Sequence, residues 1–178
     1  MTSPTRDHQP RVVLIGAPGA GKSTVGRELA ARWHVGFRDT DHDIEATTGR
    51  SISDLFIEQG EEHFRALERA AVAAALREHE GVLSVGAGAI LSEEVRGLLS
   101  GCNVVHLEVG LAAAMQRLEM NRSRPLLVGN VRGRWQQLTE ERRPLYLEVA
   151  RSSVSTDGRS PAEVADAIVS LLGEEAGS

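Results

Sequence analysis

Short apolar runs alternate along the chain with longer stretches in which apolar residues recur every three or four positions. Val12–Ile15, Val82–Val85 and Val104–Val109 have the length and β-branched content of buried strands, and Ser153-Val154-Ser155 is a weaker candidate. The helical spacing predicts helices over Lys22–Trp33, Ser53–Gln59, Glu61–Arg77, Ser92–Leu99, Leu111–Met120, Arg134–Val149 and Pro161–Leu172. Ser160-Pro161-Ala162-Glu163 combines an N-cap serine, proline at the first helical position and glutamate at the third, so the last helix starts there. Phe37 ends a further short strand, which leaves the acidic segment after it at a C-terminal sheet edge, where open α/β sheets bind ligands. This alternation predicts an α/β fold with a parallel sheet covered by helices.

Length changes that picture little: 178 residues fit one domain, predicted over 11–173 between polar tails at 1–10 and 174–178. Hydrophobic residues at 41% and charged residues at 25% describe an ordinary globular chain. A net charge of -5 argues against a general nucleic-acid surface, so any anionic ligand must be held by a local cluster of arginines. Cys102 is the sole cysteine, which excludes an internal disulfide and a thiolate zinc cluster and suits a reducing compartment. The N-terminal ten residues lack the apolar core of a signal peptide, and no apolar stretch approaches the roughly 20 residues of a membrane span. The expectation is a cytoplasmic protein with no membrane or nucleic-acid partner.

Lys22 is the only lysine among the 20 basic residues, and it stands in Gly16-Ala17-Pro18-Gly19-Ala20-Gly21-Lys22-Ser23. This segment fits G-x-x-x-x-G-K-[ST], in which backbone N–H groups wrap a phosphate chain, the ammonium reaches the terminal phosphates and the hydroxyl meets Mg²⁺. A strand precedes it and a helix follows, and the helix N-terminus favours an anion. A nucleoside triphosphate is the expected ligand.

Three further segments suggest a site around that loop. Asp39 and Asp41, as alternate residues of an extended segment, would project to one side and face the phosphates; a solvated acidic turn with Asp43 and Glu45 is the plainer reading. Val82–Ile90 runs into Gly86-Ala87-Gly88, a turn that admits a ligand close to the backbone but that also serves as an ordinary strand-to-helix connection. Residues 121–133 mix Arg122, Arg124 and Arg132 with Pro125, Gly129 and Gly133 and keep no regular period; a solvated connection is the plainer reading, but three arginines in a net-acidic chain favour a mobile lid over a triphosphate. Arg65 and Arg142 stand in two more basic points; surface arginines commonly only keep helices soluble, but guanidinium forks also match carboxylates and phosphates.

With these elements and Arg124-Pro125-Leu126-Leu127 and Arg142-Arg143-Pro144-Leu145-Tyr146 in their order and spacing, the chain resembles shikimate kinase from Arg11 to about Leu172. The resemblance implies a P-loop nucleoside monophosphate kinase-like, three-layer fold with a five-stranded parallel sheet and a mobile lid. It implies ATP-dependent phosphorylation of the shikimate 3-hydroxyl, a step toward chorismate and the aromatic amino acids, by a monomer. By motif position, Gly19, Ala20, Gly21, Lys22, Ser23 and Thr24 would hold ATP, Ser23 and Asp39 would serve Mg²⁺, and Asp41 would contact the reacting hydroxyl. Arg65 and Arg142 would clamp the carboxylate, with Gly86, Ala87 and Gly88 lining the ring. Arg124 would move against the transferring phosphoryl, and Arg117, Arg159 and Pro161 would frame the adenine. The chain departs from the family's three successive glycines at Ala87, a strain of roughly 1–2 kcal/mol only if its φ is positive. A gluconate kinase would share the loop and lid but not the Arg65, Arg142 and Gly-x-Gly set, and a nucleotide-binding regulatory module would not need Asp41 or the lid arginines.

Overall fold

A computed structural model describes residues 8–119 and 130–173. Its core is a parallel sheet of five strands in the order β2-β3-β1-β4-β5. These are β1 (Val12–Gly16), β2 (Phe37–Asp39), β3 (Val82–Ser84), β4 (Val104–Glu108) and β5 (Ser152–Ser155). β1 is central: Val13 pairs with Leu83 on one side and Val104 on the other, and all five of its residues are buried. Such a strand has no solvent face, which is why its sequence is apolar without alternation.

The two faces are covered separately. On one, α1 (Lys22–Trp33) and α7 (Pro161–Leu171) pack Val25, Leu29, Val164 and Ile168 against Val12, Leu14 and Leu107. On the other, α3 (Ile52–Glu78), α4 (Glu93–Leu99) and α6 (Val131–Val149) pack Val72, Ala75, Val95, Leu99 and Tyr146 against Val13, Ile15 and Leu83. Helix α2 (Thr40–Thr48) follows β2 and α5 (Leu111–Glu119) follows β4. This is a three-layer α/β architecture with a five-stranded parallel sheet, as expected.

Several local signals act as the sequence suggests. Ser160 and Glu163 form a reciprocal capping box at α7. Gly60 breaks α3 with φ 86° and ψ 167°, so the segment is two helices meeting at a kink, as expected from the separate periodic stretches on either side.

Two expectations are corrected. The acidic segment is not extended: β2 ends at Asp39, and Asp41 lies in the first turn of α2. Asp39 stabilises that helix start by accepting from Asp41 N at 2.9 Å, and Gly49 at φ 69° ends it. The irregular segment expected over 121–133 ends earlier, because Asn130 accepts from Gly133 N and starts α6 at Val131, making Arg132 and Gly133 helical. The rest of that segment, with Arg122 and Arg124, lies outside the described residues, as do Met120 and the expected tails at 1–7 and 174–178. His8–Pro10, assigned to the N-terminal tail, are described, and Pro10 is buried. Among the described residues no helix is long and apolar enough to cross a membrane.

Candidate active site

The turn from β1 into α1 carries the phosphate loop, and Gly21, at φ 90°, supplies a backbone conformation that a side chain would resist while capping the helix. Lys22 is buried, and its Nζ donates to Gly16 O at 2.7 Å, so the ammonium lies back across the loop. Ala20 N donates to Ala17 O at 3.1 Å, closing a four-residue turn within it. Gly19, Gly21, Lys22, Ser23 and Thr24 line a cavity of about 210 Å³ together with Asp39, Asp41, Gly86 and Arg117. Most of the predicted nucleotide set thus surrounds one space.

Asp39 serves two partners in that cavity. One oxygen caps α2, and the other accepts from Ser23 Oγ at 2.9 Å. A hydroxyl and a carboxylate held together beside a phosphate loop are the hard oxygen donors that Mg²⁺ takes, the remaining positions going to phosphate and water. Among the described residues no cluster of three or more His, Cys, Asp or Glu could hold a metal without such help. The donor set fits Mg²⁺ bound with a nucleotide.

The other half of the site forms around the turn after β3. Gly86 N donates to the Thr40 hydroxyl at 3.1 Å, and Tyr146 OH donates to Ala87 O at 2.7 Å, so two buried side chains from different elements hold the turn. An added Cβ at Gly86 would lie 2.6 Å from Asp41 Oδ1 and 2.9 Å from Glu68 Oε2. At Gly88 it would lie 2.2 Å from Arg65 Nη1. At both glycines a side chain would displace its neighbours: two carboxylates and a guanidinium converge where a methyl group would stand. Ala87 is absent from the described residues with positive φ, so it fits the turn without left-handed strain.

Arg65 and Arg142 meet in this region from α3 and α6. Arg65 Nη1 donates to Glu68 Oε1 at 2.7 Å, and Arg142 acts electrostatically on both Glu68 and Tyr146. Burial pushes the Glu68 carboxyl up to about 7 although Arg65 pulls it down, and burial likewise pushes the Tyr146 hydroxyl up to about 12. Arg65 Nε and Arg142 Nη1 are buried with no hydrogen-bond partner among the described residues. Buried guanidinium donors without acceptors are rare in a folded protein, and a bound carboxylate would satisfy them.

At the nucleotide end, Arg117 Nη1 donates to Gly19 O at 2.9 Å and to Thr156 Oγ1 at 3.2 Å. The backbone N–H of Arg159 donates to Thr156 O at 3.3 Å, and Pro161 opens α7, both residues being exposed beside the same connection. Arg124 lies outside the described residues. Sequence reasoning assigned no role to Thr40, Glu68, Trp135 or Tyr146; of these only Glu68, one turn after Arg65, and Tyr146, in the Arg-Arg-Pro-Leu-Tyr segment, carried a local signal.

Comparison with known proteins agrees with this arrangement. The family model for shikimate kinase matches residues 18–173. A shikimate kinase of Frankia casuarinae is 54% identical over 172 residues, covering 97% of this chain and 76% of its own length. One from Salinispora tropica is 54% identical over 163 residues, covering 92% of this chain and 98% of its own. A solved shikimate kinase from Acinetobacter baumannii, in complex with shikimate, superimposes with a TM-score of 0.89 at 34% identity, covering 94% of each chain.

Proposed function

The chain belongs to the shikimate kinase family, and from that premise we propose that it transfers the γ-phosphoryl group of ATP to the 3-hydroxyl of shikimate, giving shikimate 3-phosphate and ADP. The observation that carries the choice of acceptor is the pair Arg65 and Arg142: Arg65 Nε and Arg142 Nη1 are buried without a hydrogen-bond partner among the described residues, and Arg65 lies against Gly88 of the turn whose Gly86 lines the phosphate cavity. A ring acid held by its carboxylate between them would present a hydroxyl toward Asp41.

In this reading Lys22 and the N–H groups of Gly19, Ala20 and Gly21 hold the β and γ phosphates, the Ala20 N–H leaving or sharing its bond to Ala17 O. Ser23 and Asp39 hold Mg²⁺, which when bound offsets charge on the phosphates. Asp41 accepts from the reacting hydroxyl and orients it, and the Thr40 and Tyr146 hydrogen bonds keep the Gly86–Gly88 turn against the ring. Arg117, Arg159 and Pro161 frame the adenine, and Arg124 reaches the transferring phosphoryl. Phosphoryl transfer needs little covalent work from a protein, so this positioning and charge neutralisation is the whole of its task.

We further propose a monomer acting in the cytoplasm; Cys102, the sole cysteine and buried, suits a reducing compartment. A gluconate acceptor is not favoured, since Arg65, Arg142 and the Gly86-Ala87-Gly88 turn together follow the shikimate kinase pattern. The test is a coupled assay of ADP release with shikimate and gluconate offered separately. Release that requires both shikimate and Mg²⁺ is expected; release with gluconate alone, or without any acceptor, would contradict the reading.

A further inference from the structure

Ala17-Pro18-Gly19-Ala20 closes a β-turn inside the phosphate loop, with Ala20 N donating to Ala17 O at 3.1 Å, proline at the second position and Gly19 at φ 84° in the third. Those features define a type II turn. Type I and type II turns share their ends and differ by a flip of the central peptide, here Pro18–Gly19, and glycine resists neither orientation. The flip matters because this peptide carries the Gly19 N–H, and Gly19 lines the phosphate cavity. In a trans peptide the carbonyl and the following N–H point in opposite directions, so whatever holds Pro18 O also aims the Gly19 N–H.

Trp135 holds Pro18 O. Its indole N–H donates to that oxygen at 2.8 Å, and the ring is buried among Ala17, Ala114 and Met115. The bond reaches from α6 across 117 positions in sequence. Arg117, on α5, donates to the next carbonyl, Gly19 O, at 2.9 Å. Two helices outside the loop therefore take consecutive carbonyls of a turn that cannot fix its own central peptide.

We propose that Trp135 is a positioning residue for the nucleotide: its indole N–H locks the Pro18–Gly19 peptide in the type II orientation and so keeps the Gly19 N–H available to phosphate. This rests on the reading of the loop as an ATP site and adds a residue that touches neither substrate. Without the indole donor the free loop samples the flipped peptide, in which a carbonyl oxygen faces an anion, and part of the binding free energy goes to turning it back.

The test is Trp135→Phe, which keeps a buried ring and removes the donor. Equilibrium titration with ATP and with ADP, in the absence of shikimate, is expected to give affinities about fivefold weaker, the scale of one lost hydrogen bond, while KM for shikimate stays at the parent value. Unchanged nucleotide affinity would overturn the proposal, and so would a parallel loss for shikimate, which is what general loosening produces. Because the titration needs no acceptor, a parent protein that binds ATP but ignores shikimate would sink the proposed reaction and leave this result readable. Should the variant fold poorly, the parent with ¹⁵N-labelled tryptophan gives a second reading. The Trp135 indole N–H, assigned against Trp33, should be protected from exchange with and without ADP; exchange as fast as an exposed indole overturns the proposal.

Discussion

Arg65 Nη1 donates to Glu68 Oε1 at 2.7 Å, one helical turn along α3, and the Glu68 side chain is only 3% exposed. Burial nevertheless dominates and pushes this carboxyl from its ordinary 4.5 up to about 7. Between those values the folded protein holds a proton that the unfolded chain has released. The stability Glu68 contributes is therefore full below about pH 4.5 and is lost as pH rises through about 7. Glu68→Gln lacks that titration. Urea unfolding of parent and variant at pH 5 and pH 8 should show the variant gaining stability relative to the parent at the higher pH. A difference that stays constant between the two would contradict a buried, protonatable Glu68.

Arg142 is buried, and its Nη1 has no hydrogen-bond partner among the described residues. Lysine keeps the charge but loses the planar fork that meets a carboxylate with two parallel bonds. Arg142→Lys should raise KM for shikimate by about tenfold or more and leave KM for ATP near the parent value. Steady-state kinetics with each substrate varied decides it, and equal losses for both would remove Arg142 from the acceptor side of the site.

Tyr146 OH bonds Ala87 O at 2.7 Å in the core, so Tyr146→Phe leaves that carbonyl without its donor. The expected loss is about 1–3 kcal/mol of folding stability. KM for shikimate should rise a few-fold as the turn loosens, with ATP unaffected. Chemical denaturation measures the first effect, and a parent-like midpoint would show that the bond holds nothing in place.

How far the sequence reveals this molecule depends on whether a residue's partner is local. Helix α1 is predicted at both ends, because the phosphate-loop motif sets its start and His34, with φ 54°, closes it just after the last periodic residue. Helix α2 is missed, because Thr40, His42, Asp43 and Thr48 are weak helix formers and the deciding feature is a side-chain cap from Asp39. Asp39 and Asp41 still reach the cavity, but through a cap and a first helical turn, not through alternation along a strand. The phosphate half of the site is written in one contiguous segment. The half proposed for the acceptor is assembled by packing: Arg65, the Gly86–Gly88 turn and Arg142 are far apart in sequence, and resemblance supplied what spacing could not. Thr40, Trp135 and Tyr146 are harder still, since each bonds a backbone atom of a remote segment and no pattern in the chain says which one.

Gly60 adopts φ 86° and ψ 167° at the kink in α3, a region essentially closed to residues with a side chain. No atom lies within 4 Å of where its Cβ would stand, so Gly60→Ala isolates backbone strain from packing. The expected destabilisation is roughly 1–3 kcal/mol, with kinetic constants unchanged. Equal thermal stability of variant and parent would mean that the kink relaxes freely.

Gly88 poses the opposite case, because its φ of -92° and ψ of -5° admit any residue. Only its surroundings forbid a side chain: a Cβ would stand 2.2 Å from Arg65 Nη1 and 2.6 Å from Nη2. The obstructing atoms are the end of a flexible side chain, so Gly88→Ala should fold while Arg65 swings away from Glu68 and from the acceptor. Its effect belongs in KM for shikimate, about tenfold or more, with ATP affinity intact. At Gly86 a Cβ would instead meet Asp41 Oδ1 at 2.6 Å, so Gly86→Ala displaces the carboxylate assigned to the reacting hydroxyl and should act mainly on kcat. Two methyl groups two residues apart thus separate grip from chemistry. Measuring kcat and KM for both variants tests the division directly: if Gly88→Ala keeps the parent KM for shikimate, Arg65 does not hold the acceptor, and if Gly86→Ala keeps the parent kcat, Asp41 does not orient the hydroxyl.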